Sequence, residues 1–199
     1  MSQIQISLKQ TPKSVLVALG ANLHSNVGPP FVTLNFALAN LRLRTNSLMA
    51  ISKFFVTPCF PAGYGPDYVN AAIKFNFCGE ARDLLDTLHE IETMFGRARD
   101  FRWGGRVLDL DLLAFGNSIA PNLDDYCKWQ HLPLTQQMEK IPTEMILPHP
   151  RLQERAFVLG PLMDLAPDWR HPVLGLTVRE MFRRLPQADR DALQLLEEP

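Results

Sequence analysis

Three aspartates and four arginines lie within one short stretch of the sequence, residues 96–116 (GRARDFRWGGRVLDLDLLAFG). Asp109 and Asp111 are separated by a single residue in an apolar run, so a β-strand would place both carboxylates on one face. Two like charges this close repel each other, and a divalent cation with oxygen ligands, such as Mg²⁺, relieves the repulsion. The pair predicts a metal site on a strand, and the dense apolar neighbours predict that this strand is central in its sheet.

The arginines precede that strand and supply the opposite charge. They are Arg97, Arg99, Arg102 and Arg106, interleaved with Phe101 and Trp103. Guanidinium groups bind phosphate oxygens through paired hydrogen bonds, and metal held by carboxylates beside arginines suits phosphoryl transfer from a polyphosphate. Arg106 would have to precede the regular strand in order to face the aspartates. The alternative is a solvated arginine loop followed by an edge strand with two exposed aspartates.

The composition narrows the classes of function. The chain has 199 residues and a formal net charge of −1, which fits one domain and disfavours a general nucleic-acid binder. No stretch reaches the ~18 consecutive apolar residues of a membrane span. Three cysteines without a CxxC motif predict reduced thiols and a cytoplasmic location, and five scattered histidines disfavour a zinc site.

Hydrophobic periodicity predicts an α+β fold. Strands are predicted over residues 14–20, 47–56 and 67–77, and helices over 29–43 and 80–95. With the aspartate strand, the order is β-α-β-β-α-β, which is typical of a ferredoxin-like core: an antiparallel sheet with helices packed on it. Additional helices are expected towards the C-terminal end. The sequence contains neither a P-loop nor a Rossmann glycine motif.

The same patterns predict how the chain is divided. Residues 14–185 are predicted to form a single domain, after a flexible leader at 1–13 and before a charged tail at 186–199. Residues 117–145 show little periodicity and are predicted to be an insert that leaves the core. The tail is expected to be a surface helix or disordered.

At residues 102–113 (RWGGRVLDLDLL) the sequence resembles the 6-hydroxymethyl-7,8-dihydropterin pyrophosphokinase family of the folate pathway. The resemblance continues in VALGANL, TPCF…GPDYVNAAI, IETMFGRAR and LPHPRLQERAFVLGPLMDLAPD, in the family's order, over roughly residues 14–170. It implies transfer of the β,γ-pyrophosphoryl group of ATP to the hydroxymethyl group of 6-hydroxymethyl-7,8-dihydropterin, with two Mg²⁺ ions and release of AMP. We expect a monomer that binds neither nucleic acid nor membranes.

The resemblance also implies roles for individual residues. Asp109 and Asp111 would hold the Mg²⁺ ions, and Arg97 and Arg106 would stabilise the transferring group. The pterin would contact Thr57, Pro58, Phe60, Tyr68, Asn70, Trp103 and Phe157. ATP would contact Glu92, Arg99, Arg102, Trp103, Leu112, His149 and Arg155. The sequence departs from the family at Gly105, where a proline is usual, and at His89 and Pro150, which are expected to tune ATP contacts.

Two other functions stay open. A metal-dependent phosphohydrolase or nucleotidyltransferase could use the same aspartates, but it would not need the residues assigned to the pterin. An RNA-recognition module would share the ferredoxin-like core, but it would require aromatic residues exposed on the sheet and a basic face. Asp109 and Asp111 would repel phosphate in the absence of a metal, which disfavours that module.

Overall fold

The computed structural model of the chain describes residues 11–59, 65–96, 105–133, 135–136 and 140–197. Its strands are β1 (Lys13–Ala21), β2 (Met49–Ile51), β3 (Phe55–Thr57), β4 (Tyr68–Phe77), β5 (Asp109–Phe115) and β6 (Gln194–Leu195). Its helices are α1 (Pro30–Thr45), α2 (Ala81–Met94), α3 (Leu123–Gln130), α4 (Ala156–Leu165), α5 (Val178–Arg184) and α6 (Gln187–Asp191). One turn of 3₁₀ helix, Leu152–Glu154, precedes α4.

The described strands form one antiparallel sheet in the order β5-β1-β4-β3-β6, with β2 paired to β4. This confirms the predicted α+β, ferredoxin-like fold. The prediction that the aspartate strand is central was wrong, because β5 pairs with β1 alone among the described residues and forms an edge of the sheet.

Helices cover both faces of the sheet. The core on one face includes Leu34 and Leu41 of α1 and Leu84, Leu88 and Ile91 of α2. The core on the other face includes Val158, Leu159 and Leu162 of α4 and Val178 and Met181 of α5. In β5, Leu110 and Leu112 face α1 and α2, whereas Leu113 faces α4. Burial on both faces therefore produced the apolar density that the sequence pattern could not distinguish from pairing on both edges.

The second predicted strand, residues 47–56, is broken in two. Ile51 of β2 lies opposite Ile73, but Phe55 of β3 lies opposite Asn70, so the chain contains one extra residue between them. Ser52 bridges the gap: its N–H donates to Ala72 O at 3.0 Å, and its hydroxyl accepts from Ala72 N at 2.9 Å. The break re-aims β3, which ends at Thr57, one of the residues assigned to the pterin.

Part of the segment 117–145 forms regular structure that its sequence did not predict. It contains α3, whose Tyr126 is fully buried with its hydroxyl 3.1 Å from Nε2 of the buried His171. Tyr126 therefore attaches α3 to the chain that follows α4. The charged tail forms a helix without buried residues, α6, which is one of the two expectations, and then adds β6 to the sheet beside β3, which was not predicted. Within the described residues, no helix is long and apolar enough to cross a membrane.

Candidate active site

A row of residues at one end of the sheet brings the predicted site together. Gly20 of β1 lies opposite both Asp109 of β5 and Asn70 of β4, and Ala18 lies opposite Asp111. Residues directly opposite each other share a face of the sheet, so both aspartates and Asn70 face the same side. The small residues Gly20 and Ala18 of β1 form the floor between them. A β-carbon at Gly20 would lie 3.1 Å from Asn70 Oδ1.

Each aspartate faces an arginine. Arg106 forms an ion pair with Asp109, and the Arg155 guanidinium lies 3.4 Å from Asp111 Oδ2. Arg106 precedes the regular strand, as facing the aspartates required. The neighbouring Asp109 carboxylate raises the pKa of Arg106, whereas burial lowers the pKa of Arg155 against the opposing effect of Asp111. The aspartate side chains remain 24% and 31% exposed, so their oxygens are accessible from solvent.

Asn22 connects three segments around the site, although it was not among the predicted site residues. Its side chain is 2% exposed; Oδ1 accepts from Arg106 N at 2.6 Å, and Nδ2 donates to Pro66 O at 3.0 Å. Its backbone N–H also donates to Arg106 O at 2.9 Å. Asn22 thereby joins the chain after β1 to the segments before β4 and β5, and it fixes the backbone that carries Arg106. The only signal in the sequence was an asparagine directly after a buried strand.

The residues assigned to the pterin include a buried hydrogen-bonded pair. Asn70 Nδ2 donates to Thr57 Oγ1 at 2.8 Å, and both residues are buried. This bond fixes the carboxamide, whose Oδ1 lies towards Gly20. Tyr68 lies two residues before Asn70 on the same face of β4, and partial burial raises its pKa. Pro58 follows Thr57 and is exposed.

Phe157 occupies the first turn of α4, near the aspartates. The apolar spacing of the surrounding sequence would place Phe157 in the core, yet this residue is 38% exposed. The guanidinium of Arg155, which also faces Asp111, lies 5.5 Å from the centre of the Phe157 ring. A partly exposed ring held by a cation in this way has a surface available for stacking on a flat heterocycle.

Of the described residues assigned to ATP, Glu92 and His149 lie along the outer edge of β5, whereas Arg155 and Leu112 lie on opposite faces of the sheet. Glu92 of α2 is 1% exposed and accepts from Leu110 N at 2.9 Å. The backbone N–H of His149 donates to Leu113 O at 2.8 Å. Leu112 is buried in the core beside α1 and α2, on the face opposite the aspartates. Glutamate is mostly a surface residue, so its burial here was not evident from its type.

His149 is held neutral. Burial, reinforced by the nearby positive charge of Arg155, lowers the pKa of His149 to about 3. Its Nδ1 lies 3.2 Å from the backbone N–H of Arg151 and accepts from it. Because a neutral imidazole carries one N–H, the proton resides on Nε2, which makes that atom a hydrogen-bond donor.

Several predicted site residues lie outside the described residues: Phe60, Arg97, Arg99, Arg102 and Trp103. Among the residues that the structure does describe, no three or more His, Cys, Asp or Glu side chains form a group that could hold a metal ion. Asp109 and Asp111 supply two carboxylates on one face. Two accessible carboxylates fit Mg²⁺, which keeps several waters and commonly combines one or two protein carboxylates with substrate phosphates.

The fold and the site define a ferredoxin-like α+β protein with an acidic pair and arginines at one end of its sheet. The model of the 7,8-dihydro-6-hydroxymethylpterin-pyrophosphokinase (HPPK) family matches residues 16–167. The chain belongs to this family.

Curated relatives agree with that assignment. The chain is 39% identical over 183 residues to the 2-amino-4-hydroxy-6-hydroxymethyldihydropteridine pyrophosphokinase of Pseudomonas aeruginosa, covering 87% of this chain and 98% of the relative. It is 32% identical over 164 residues to the protein of the same name from Synechocystis, covering 82% and 73%.

A solved structure with a similar fold is that of Plasmodium falciparum HPPK-DHPS with pterin and p-hydroxybenzoate, at a TM-score of 0.60 and 15% identity. The match covers 90% of this chain but 45% of the longer Plasmodium chain. At this identity the likeness supports the fold.

Proposed function

We propose that the protein transfers the β,γ-pyrophosphoryl group of ATP to the hydroxymethyl group of 6-hydroxymethyl-7,8-dihydropterin, releasing AMP, in tetrahydrofolate biosynthesis. The observation that carries the proposal is the row across the sheet, in which the pair Asp109 and Asp111 lies across Gly20 from the bonded pair Asn70 and Thr57. One end of the row suits a polyphosphate with its metal, and the other suits a flat heterocycle rich in hydrogen-bonding groups. The names of the curated relatives support the same reaction.

Asp109 and Asp111 are proposed to hold two Mg²⁺ ions together with phosphate oxygens of ATP. When bound, such ions neutralise charge on the phosphates and orient the transferring group. The protein's own contribution is the spacing of the carboxylates, which β5 fixes by pairing with β1 on one side. Their partial exposure leaves room for ligands that the chain itself does not supply.

The arginines are proposed to change partners when ATP binds. Arg106 and Arg155 each face an aspartate. Phosphate oxygens can take over these guanidinium groups once metal occupies the carboxylates, because each guanidinium offers paired donors to an anion. Asn22 holds the backbone of Arg106 in place, which restricts the positions that the Arg106 side chain can adopt. Arg97, Arg99 and Arg102 are proposed to act with them.

Asn70 is proposed to recognise the pterin by its amide edge. One N–H of its carboxamide is committed to Thr57, so the second N–H and Oδ1, which lies towards Gly20, are proposed to bind the pterin. Tyr68 and Phe157 would contact the ring system. His149 would contact ATP through the Nε2–H donor of an imidazole that stays neutral through the physiological pH range, because burial lowers its pKa to about 3.

The direct test is to incubate the purified protein with Mg²⁺, the pterin and ATP labelled on the γ-phosphate. The proposal expects AMP in equal amount to a pyrophosphorylated pterin that carries the label, and no AMP when the pterin is omitted. A metal-dependent phosphohydrolase or nucleotidyltransferase would instead release ADP, phosphate or pyrophosphate without the pterin. Asp109→Asn, prepared in parallel, controls for a contaminating activity.

Location and assembly are also proposals. Cys59, Cys78 and Cys127 are all free thiols, which supports a reducing compartment such as the cytoplasm. The protein is proposed to act as a monomer that binds neither nucleic acid nor membranes. Light scattering after size exclusion, with and without ATP, tests the monomer: a mass near 22.6 kDa supports it, and twice that mass contradicts it.

A further inference from the structure

The last strand of the chain lies beside the pterin half of the site. β6 pairs with β3, with Leu195 opposite Phe55 and Gln194 opposite Val56. Next to this pair, the backbone N–H of Leu196 donates to Phe54 O at 2.9 Å. These residues follow the region that the family model matches, which ends at residue 167.

β3 needs support on this side because it is short. It contains three residues, and the extra residue after β2 separates it from the rest of that edge of the sheet. Its start is held by Lys53 N–H, which donates to Asp164 Oδ2 at 3.1 Å, and by Phe54, which packs edge-on against Phe31. Those contacts lie before the strand, whereas Thr57 lies at its far end.

β6 is itself anchored to α4. The side chain of Leu193 lies so close to Gly160 that a β-carbon there would be 2.6 Å from Leu193 Cδ1. The absence of a side chain at Gly160 thus allows the chain before β6 to pack on α4. Because α4 carries Phe157 in its first turn, β6 connects two elements that both contribute residues assigned to the pterin.

We propose that β6 is a positioning element for pterin binding. By pairing with β3, it fixes the position of Thr57, whose hydroxyl accepts from Asn70 Nδ2 and sets the orientation of the carboxamide. Without β6, β3 becomes a three-residue edge strand, and Thr57 and Asn70 lose their fixed geometry. The aspartates lie at the opposite edge of the sheet, on β5, so the ATP half does not depend on β6. This inference rests on the proposed function.

The first experiment compares two truncations, one after Leu193, which removes β6, and one after Glu197, which keeps it. We expect the first to raise KM for the pterin about tenfold and to leave KM for ATP within about twofold, because only the pterin contacts are misplaced. The second should match the full chain. A general loss of folding cannot produce this split between two substrates. Equal changes in both KM values, or no change, would overturn the proposal.

A pair of proline substitutions tests the same point without truncation. Leu196→Pro removes the N–H that donates to Phe54 O, whereas Leu195→Pro removes an N–H that points away from β3, because neighbouring residues of a strand alternate in direction. We expect Leu196→Pro to raise KM for the pterin about fivefold and Leu195→Pro to have less effect. If the first truncation fails to fold, as judged by circular dichroism, this pair decides the matter. Equal effects of the two prolines contradict the proposal.

A double-mutant cycle then tests whether β6 acts through Thr57. Thr57→Val removes the hydroxyl that accepts from Asn70 while keeping the shape of the side chain. If β6 works by placing that hydroxyl, truncation after Leu193 should change pterin affinity about twofold or less in the Thr57→Val background. Additive effects would show that β6 acts elsewhere. Calorimetric binding of the pterin provides the readout, and a full chain that forms no AMP would contradict the proposed function and not this coupling.

Discussion

The two faces of the sheet differ in how side-chain size changes along the same strand. On the face towards α1 and α2, β1 contributes Val15, Val17 and Leu19, all fully or almost fully buried. On the face towards α4, the same strand contributes Leu16, Ala18 and Gly20. The side chains thus remain as large as valine or leucine up to residue 19 on one face and decrease to nothing on the other, where the aspartates and Asn70 flank Gly20.

The difference shows that the candidate site depends on small residues of β1 as well as on functional side chains. The face towards α1 and α2, here called the closed face, stabilises the fold through buried apolar area. Substitutions there should change stability and leave the chemistry of each folded molecule intact. The face towards α4, here called the open face, has no β1 side chain to bury at Gly20. Substitutions of the site residues around Gly20 should therefore change the chemistry and leave stability almost intact. Each of the following experiments tests that separation.

The largest effect is expected on the open face, for Asp109→Asn and Asp111→Asn. Each substitution keeps the shape of the side chain but removes a charge proposed to hold Mg²⁺, so turnover should fall on the order of 10³-fold or more. Unfolding in urea should change little, because each carboxylate is partly exposed and pairs with one arginine.

Asp86→Asn removes an equally negative, exposed charge that pairs with Arg82 and serves as the matched control. It should retain full turnover. Near-parent rates for both site variants, or a parent protein that needs no divalent ion, would contradict the metal proposal.

On the closed face, Leu84→Ala should lower the free energy of unfolding by roughly 2–5 kcal/mol, because Leu84 is fully buried and its loss leaves a cavity. Turnover per folded molecule, measured well below the melting temperature, should stay within about twofold of the parent. Leu43→Ala deletes the same atoms at a site that is 82% exposed and should leave stability almost unchanged. A large loss of turnover in folded Leu84→Ala would show that the two faces are not separable.

The buried pair of Tyr126 and His171 makes stability depend on pH. Burial lowers the pKa of His171 to about 4, below the value of ~6.5 in an unfolded chain. As pH falls below ~6.5 the unfolded state gains a proton that the folded state does not, so the free energy of unfolding should decrease by roughly 3 kcal/mol down to pH 4. Urea unfolding of the parent and of His171→Asn across this range measures the effect.

The free energy of unfolding of His171→Asn should depend less steeply on pH than that of the parent, although the variant is less stable at neutral pH. His131→Asn, at an exposed position, should keep the slope of the parent. A parent whose stability is flat between pH 6.5 and 4 would show that His171 is not protected from protonation.

The smallest effect is expected for Gly20→Ala. The new β-carbon would lie 3.1 Å from Asn70 Oδ1, which must move by a few tenths of an ångström. We expect KM for the pterin to rise about fivefold, or ~1 kcal/mol, while unfolding changes by less than that. An unchanged KM for the pterin would show that position 20 tolerates a side chain and that glycine is not required there for recognition.

Much of the fold followed from local patterns. The stripe from Ala81 to Ile91 and the glycine after it predict α2 within one residue at each end, and Gly96 has the positive φ of 82° that favours glycine after a helix. The break between β2 and β3 did not follow, because it depends on the Ser52 hydroxyl meeting Ala72 across the sheet. β6 has two exposed residues and carries no periodic signal at all.

The site divides in the same way. The shared face of Asp109 and Asp111 follows from the two-residue period of a strand, which needs no knowledge of the partner strands. Asn22 and the pairing of Tyr126 with His171 depend on contacts between residues more than 40 positions apart, and no short-range pattern encodes them. For that reason the sequence predicted an excursion over residues 117–145 where the structure has a buried anchor.

The groups along the outer edge of β5 have a consequence for how the protein behaves at high concentration. An unpaired edge strand can recruit a strand from another molecule, which leads to aggregation. Here the N–H of Leu110 already donates to the Glu92 carboxylate, and the C=O of Leu113 already accepts from His149 N–H. A carboxylate buried against the edge also repels the carbonyl oxygens of an incoming strand. Glu92 and His149, both assigned to ATP, thereby also protect this edge of the sheet from pairing with a strand of another molecule.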